Sequence, residues 1–358
     1  MKRRLSLLEL IVILMLVAAC GPTPSPTQPP KVVPVHTTLR LFLVDSYTED
    51  DFWSQQVRVG ILETLARSGY ATVDGTLELE TFYMDMRHVS AIEDVKPVAL
   101  QAIERLVDFQ PDIVIVSGEE ATRTVIPLYV DSTLPFVFCG FVGDPSSYGL
   151  DLPNVTGVVE VLHPVKTVAM AYAFVEDAQR YLLLSDGSVS GRARALSTYL
   201  TLGQSEYGTS TFSFKTVREW SDWRKTVLTE GKEVDFILLA GSQGVVDDAG
   251  SLVDERDVIA WMFAYSPVPV FALSNYAVVN GAVGGLVSYG YEEGVSVGNV
   301  VLRLAAGEMP ADIPIRGPER NLLAVNLAST RRWNLRIPIT FPIAARIYGT
   351  ELAAQGGQ

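Results

Sequence analysis

Among the side chains able to do covalent chemistry, the serines of Gly187-Ser188-Val189-Ser190-Gly191 come nearest to a known pattern. That pattern is the sharp turn G-x-S-x-G, which exposes a nucleophilic serine. The centre of this pentapeptide is Val189, so the nucleophile is missing and the comparison fails. The chain has 3 histidines, His36, His88 and His163, with no H-x-x-x-H pair and no cysteine cluster to hold zinc. Of its 2 cysteines, Cys139 sits in an apolar run, where a small buried thiol is the ordinary reading, and Cys20 is near the N-terminus. There is no Walker loop, and Gly281 to Gly285 lacks the strand, turn and helix of a dinucleotide site. Binding rather than bond-making is therefore expected: no catalytic residue, no metal, no cofactor, not an enzyme.

Residues suited to binding collect just after the apolar runs. They are Asp45-Ser46-Tyr47, Ser117-Gly118-Glu119-Glu120, Gly140-Phe141, Ser185-Asp186-Gly187-Ser188, Gly241-Ser242-Gln243 and Ser274-Asn275-Tyr276, with Tyr289 following a later run. Ser117 and Gly118 precede a helix whose free N–H groups suit an anionic group, while Glu119 and Glu120 in its first turn suit the positive end of its dipole. Tyr47 and Trp53 offer a stacking wall, and Phe52 reads as a core residue. Asp186, Ser188 and Ser190 read equally well as turn formers. No lysine or arginine directly follows any of these runs, so a multiply anionic ligand would be buried without a charge partner. The expected ligand is amino-acid-like or an amine with a flat or apolar body; phosphorylated sugars and dicarboxylates are excluded.

The elements that must position these residues alternate. Apolar strands at 39–44, 77–83, 112–116 and 135–139 are separated by helical patterns at 57–65 and 95–109, the first with Asp50 or Asp51 as N-cap and Gly69 as its stop. After Asn154 the same order repeats, with helices at 163–178, 192–202, 219–229 and 253–264 and strands at 181–185, 212–217, 235–240 and 268–273. Strand and helix in alternation imply parallel sheets with right-handed crossovers. The fold class expected is α/β, two doubly wound parallel-sheet lobes joined by a hinge. In such sheets ligands bind beyond the carboxyl ends of the strands, which is why the residues just after each run matter.

The last third of the chain reads as strand (268–273), polar loop (274–276), glycine-rich turn, second strand and a helix. In that helix Val297, Val300, Val301 and Leu304 recur at helical spacing, and Gly294 and Gly298 offer one face for close backbone approach. Here the sequence resembles a family. The serine-containing loop, the segment VVNGAVGGLVSYG, the GVSVGN helix and the exit GEMPADIPI are similar to substrate-binding proteins of ABC importers, in the group with the type I periplasmic-binding fold that includes aromatic amino-acid binders. PFVFCGFVGDP (135–145), NVTGVVE (154–160) and AVNLASTRRWNLRIP (324–338) carry the likeness across residues 39–338, while FYMDMRH (82–88) and NVTGVVE also resemble extracytoplasmic sensor domains of that fold. The resemblance implies capture of a small molecule for an ABC permease and ATPase, with a sensing module as the alternative. The lobes are expected to exchange strands, as 37–156 plus 290–309 and 157–289 plus 310–349, and to pivot near Pro153, Tyr289 and Pro310.

Residues 1–20 place Lys2, Arg3 and Arg4 before an apolar stretch, then Val17-Ala18-Ala19-Cys20, which resembles a lipobox and implies cleavage before an acylated Cys20. Residues 21–36, rich in Pro and Thr, read as an extended tether. An extracytoplasmic monomer, held to the membrane by the N-terminal lipid only, is expected. A net charge of −13 with no basic run argues against nucleic acid as a partner. With 48% hydrophobic and 19% charged residues, the 358-residue chain can fill two cores.

Overall fold

The computed structural model describes residues 38–89, 91–209, 211–338 and 345–349. Cys20 and the segments 1–20 and 21–36 lie outside the described residues. Strand β1 (Leu39–Asp45) is buried on both faces save Arg40, as a central strand must be, and pairs in parallel with β2 (Leu77–Tyr83) and β3 (Ile113–Ser117). With β4 (Phe136–Phe141) and β5 (Val155–Val159) they form a five-stranded parallel sheet in the order β2-β1-β3-β4-β5. The second lobe repeats the design with β6 (Arg180–Ser185), β7 (Thr211–Thr216), β8 (Phe236–Leu239) and β9 (Val270–Ala272), ordered β7-β6-β8-β9. A small third sheet of β10 (Gly284–Val287), β11 (Leu322–Asn326) and β12 (Arg346–Tyr348) includes an antiparallel pair, β10 with β11, which strand–helix alternation does not foretell.

Helix α1 (Phe52–Arg67) starts where Asp51 accepts from Ser54 N at 3.0 Å and is stopped by Gly69 at φ 91°. Its inner stripe Val57, Ile61 and Leu65 joins one core with β1, β3 and β4; the opposite face of that sheet is covered by α2 (Lys96–Phe109) and α3 (Glu119–Val125). The second lobe is covered by α4 (Pro164–Phe174), α5 (Val189–Gly203), α6 (Trp220–Glu230) and α7 (Glu255–Tyr265). Helix α9 (Gly290–Ala305) follows the short α8 (Asn275–Asn280), returns to the first lobe and lies across α1. A Cβ at Gly294 would overlap the Val57 carbonyl, with the carbonyl carbon 2.8 Å away, and one at Gly298 would sit 2.7 Å from Thr64 Cβ. The two glycines thus permit the close crossing their spacing suggests.

Several elements differ from the sequence reading. Ser274, Asn275 and Tyr276 are not a loop: Ser274 Oγ accepts from Ala277 N at 3.2 Å and starts α8. Helix α5 begins at Val189 rather than 192, because Ser188 caps it, and α4 ends at Phe174, short of residue 178. The chain passes between the lobes after Val159, around Ser288–Tyr289, and between Arg316 and Leu322. The last passage is not at Pro310: Ile313 is buried in the first lobe's core, its carbonyl accepts from Thr156 Oγ1 at 2.9 Å, and Arg316 O accepts from Val159 N at 3.1 Å. Pro153 likewise precedes β5 and stays within the first lobe.

Candidate functional site

The carboxyl ends of both sheets face one cleft. It is lined by Tyr47, Phe52, Trp53 and Gln56 from the start of α1, Arg87 after β2, Glu119, Gly140, Val142 and Glu160 from the first lobe's strand ends, and Ser190, Arg194, Gln243, Glu255, Ser274, Asn275, Tyr276 and Ser288 facing them. About 640 Å³ is empty there, mouth included, but only about 40 Å³ leaves room for the centre of a water molecule. The walls are already close. Contacts across the gap agree: Glu120 Oε1 accepts from Ser190 N at 3.2 Å, His88 O accepts from Arg218 Nη2 at 2.9 Å, and the rings of Phe52 and Tyr276 are 4.9 Å apart.

One wall is built from the first βα loop. Asp45 accepts from Tyr47 N at 3.0 Å and Ser54 Oγ at 2.8 Å, which fixes the turn, and burial pushes its carboxyl up to about 7. Trp53 stands edge-on to Tyr47, 6.0 Å between centroids, and leans over Gly140, where a Cβ would strike its ring. Arg87 lies on the other side of Tyr47, its guanidinium 3.6 Å from the ring centroid, with Nε donating to Asp51 Oδ2 at 2.6 Å. Burial works against that charge, yet Asp51, Tyr47 and Glu255 more than offset it, and its pKa is raised. Opposite, Arg194 Nε donates to Ala240 O at 2.8 Å and Nη1 to Glu160, so an arginine and a glutamate from different lobes are bonded at the cleft floor. Burial raises Glu119 to about 8, with Glu120 adding repulsion, and Glu293 behind Gly140 is also held well above its ordinary value by burial and by Glu160.

A family profile described as ABC transporter substrate binding protein matches residues 54–342. The chain belongs to this family. Its fold is also that of several solved structures of low sequence identity. A domain from Streptococcus pneumonia solved in complex with L-Trp superposes with a TM-score of 0.68 at 18% identity, covering 87% of this chain and 100% of its own. A conserved domain protein from Vibrio cholerae gives 0.67 at 16% over 87% and 100%. A ligand-free, open substrate-binding protein with adhesive properties from Clostridium difficile gives 0.63 at 12% over 88% and 100%. Comparison with curated proteins returns no match. The family is one of extracytoplasmic solute-binding proteins that bind small molecules and meet ABC permeases.

The substrate-binding protein places its sequence-predicted residues unevenly. Tyr47, Trp53, Glu119, Gln243, Ser274 and Asn275 line the cleft. Phe141 does not: it is fully buried, packed edge-on against Phe138 and Tyr148. Ser117 is buried, and Gly118 abuts Ser46. Of the N–H groups at that helix start, Ala121 N donates to Ser46 Oγ at 2.9 Å and Gly118 N to Cys139 O at 2.9 Å, while Ser46 Oγ donates to Ser117 O at 2.8 Å. Asp186 accepts from Ser188 N at 2.9 Å and Ser188 Oγ caps α5, so both act as turn and cap. Ser242 lies behind the wall, donating to Glu255 at 2.8 Å, and Tyr289 OH accepts from Arg346 at 3.2 Å beside the crossing. Phe52 faces the cleft rather than the core, and Glu119 and Glu120 stand in the first turn of α3 as expected, both of them buried.

Sequence reasoning missed Arg87, Glu160, Arg194 and Glu255. The expectation of a cleft without cationic side chains is corrected: arginines arrive four residues past β2 and from the second turn of α5. Glu160 directly follows an apolar VTGVV run, a signal equal to those used elsewhere. Among the described residues no cluster of His, Cys, Asp or Glu would hold a metal, and no helix is long and apolar enough to cross a membrane.

Proposed function

We propose that this protein captures an amino-acid-like or amine solute with an apolar or aromatic body between its lobes and delivers it to an ABC permease and ATPase. The observation that carries the reading is the pairing of aromatic walls, Tyr47 and Trp53 with Phe52 and Tyr276, with more carboxylates than arginines in one cleft. Flat rings stack on such walls and cations favour their faces. Arg87 and Arg194 already have carboxylate partners, so a phosphate ester or dicarboxylate would add unpaired charge to a surplus of the same sign. The L-Trp bound by the similar Streptococcus pneumonia domain supports an aromatic body. Tyr47, Trp53, Glu119, Gln243, Ser274 and Asn275 are the residues from which contacts are expected. The lipobox-like Val17-Ala18-Ala19-Cys20 and the Pro-rich stretch after it support anchoring outside the cytoplasm by lipid on Cys20.

A thermal-shift panel of amino acids, amines, phosphate esters and dicarboxylates, followed by calorimetry, tests this, since a ligand bound only by the folded state raises the melting temperature. Trp53→Ala is expected to weaken the best binder by about 1 kcal/mol or more, the worth of a stacked ring. Tight binding of a phosphate ester, or unaltered affinity in both Trp53→Ala and Tyr47→Ala, refutes the pocket assignment. Cys20→Ser is expected to release the protein from membranes.

A further inference from the structure

Three carboxylates line the cleft, and they are not equivalent. Glu160 is bonded by Arg194, and Glu255 by the Ser242 hydroxyl. Glu119 is 1% exposed; its Oε2 takes one long bond from Val142 N at 3.4 Å, and its Oε1 has no donor at all. The nearest cation, Arg123 Nη1, stands 3.7 Å from Oε1, beyond hydrogen-bond length, with its guanidinium over the Tyr148 ring. A buried carboxylate oxygen left without a donor is costly, and native structures keep few of them.

We infer that Glu119 is the specificity-determining residue that receives the ligand's positively charged group, on the oxygen that no protein donor reaches. This rests on the reading of the cleft as a site for an amino-acid-like or amine solute. The groups around it include no donor to Oε1 that a cation would have to displace. Its own helix brings Glu120 and Arg123, the segment after β5 brings Glu160, α5 brings Arg194, and α9 brings Glu293 behind Gly140. Of the two guanidiniums, Arg194 is bonded to Glu160 and Arg123 stops short of hydrogen-bond length, so neither donates to Glu119 Oε1. An ammonium on Glu119 Oε1 would satisfy the open lone pair.

A consequence follows for proton uptake. Glu119 is raised to about 8 by burial and by Glu120, so the empty cleft holds its proton at neutral pH and a docked ammonium displaces it. Affinity for a cation therefore falls as pH drops below about 8, by as much as about tenfold per unit. An uncharged or anionic solute shows no such slope.

The experiment compares solutes of one shape and three charges: L-tryptophan, tryptamine and indole-3-propionate, measured by calorimetry from pH 6 to 8.5. The expected result is that tryptamine and L-tryptophan bind, indole-3-propionate does not, and tryptamine binds more weakly at pH 6 than at pH 8. Glu119→Gln, which keeps the shape, is expected to lose tenfold or more in tryptamine affinity at pH 8 and to flatten the pH slope. Indole-3-propionate binding as tightly as tryptamine, or tryptamine affinity independent of pH in the wild-type protein, overturns the assignment to Glu119 and leaves the solute-binding reading standing. So does unchanged tryptamine affinity in Glu119→Gln. If no indole binds, the charge series is repeated on an aliphatic body with L-leucine, isoamylamine and 4-methylpentanoate. Absence of binding in both series overturns this inference together with the reading on which it rests.

Discussion

Replacing Gly294 by alanine tests the helix crossing that joins α9 to α1. On an ordinary helix the change is favourable, because alanine is about 1 kcal/mol better than glycine in a helix interior. At Gly294 the added methyl meets Val57 O, C and Cα, which are backbone atoms and cannot swing aside as a side chain would. Overpacking of that kind costs about 1–3 kcal/mol, occasionally more, so the net effect expected is a loss of up to about 2 kcal/mol. Gly203, at the last turn of α5, supplies the internal control: nothing lies within 4 Å of its Cβ position, and Gly203→Ala is expected to stabilise. Both variants can be read by chemical denaturation and by melting temperature, with about 1–2 °C expected per kcal/mol for a chain of this length. If Gly294→Ala gains as much stability as Gly203→Ala, the helices are not locked backbone to backbone and the reasoning fails.

Two further perturbations follow from the same geometry. Asp45 at about 7, Glu119 at about 8 and the partly buried Glu255 at about 7 all stand above the roughly 4 of an unfolded carboxyl, so the folded chain holds protons the unfolded chain has released. That contribution is complete below about pH 4 and is lost as pH climbs through 7 to 8; melting temperatures of the ligand-free protein should fall over that window, and a flat or rising profile would contradict the burial of these groups. Ser46→Ala removes the hydroxyl that receives Ala121 N and leaves a buried donor unpaired, so a loss of about 1–2 kcal/mol in unfolding free energy is expected, and an unchanged value would show that α3 is not capped from the first loop.

The fold was legible because its signals are local. Strands such as Leu39–Asp45 are apolar on both faces, glycine or asparagine punctuates their ends, and a residue such as Asp51 marks a helix start within one turn. The cleft was legible only where it is made by residues next to those strand ends. Arg194 belongs to a helical stripe with Gly191, Ala195, Thr198 and Leu202, all buried, and nothing in the spacing tells whether its head reaches a core or a carboxylate. Phe52 and Phe141 were exchanged for a similar reason. Alternation places Phe141 at the end of β4, but only the third dimension turns its ring into the core and that of Phe52 toward Tyr276. Asn275 joined a loop in the reading because its polar run hides a cap, and Ser274 needs only one N–H to begin a helix.

The return of α9 to the first lobe has a bearing on how the molecule is made. Val297, Val301 and Leu304 complete the same core as Val57, Ile61 and Leu65, and Ile313 closes it beside β5. A growing chain that has emerged only as far as β5 therefore carries the whole first sheet with one face of α1 still bare, and must wait for more than a hundred further residues before that face is covered. During that interval the second lobe's strands β6 to β9 emerge, and their cores draw on nothing earlier in the chain than residue 162. Both lobes are thus finished only by the end of the chain, the first by Leu304 and Ile313 and the second by Ala324 and Val325, and a nascent fragment ending near residue 288 would expose an apolar stripe for which the natural cover is the chain's own unfinished end.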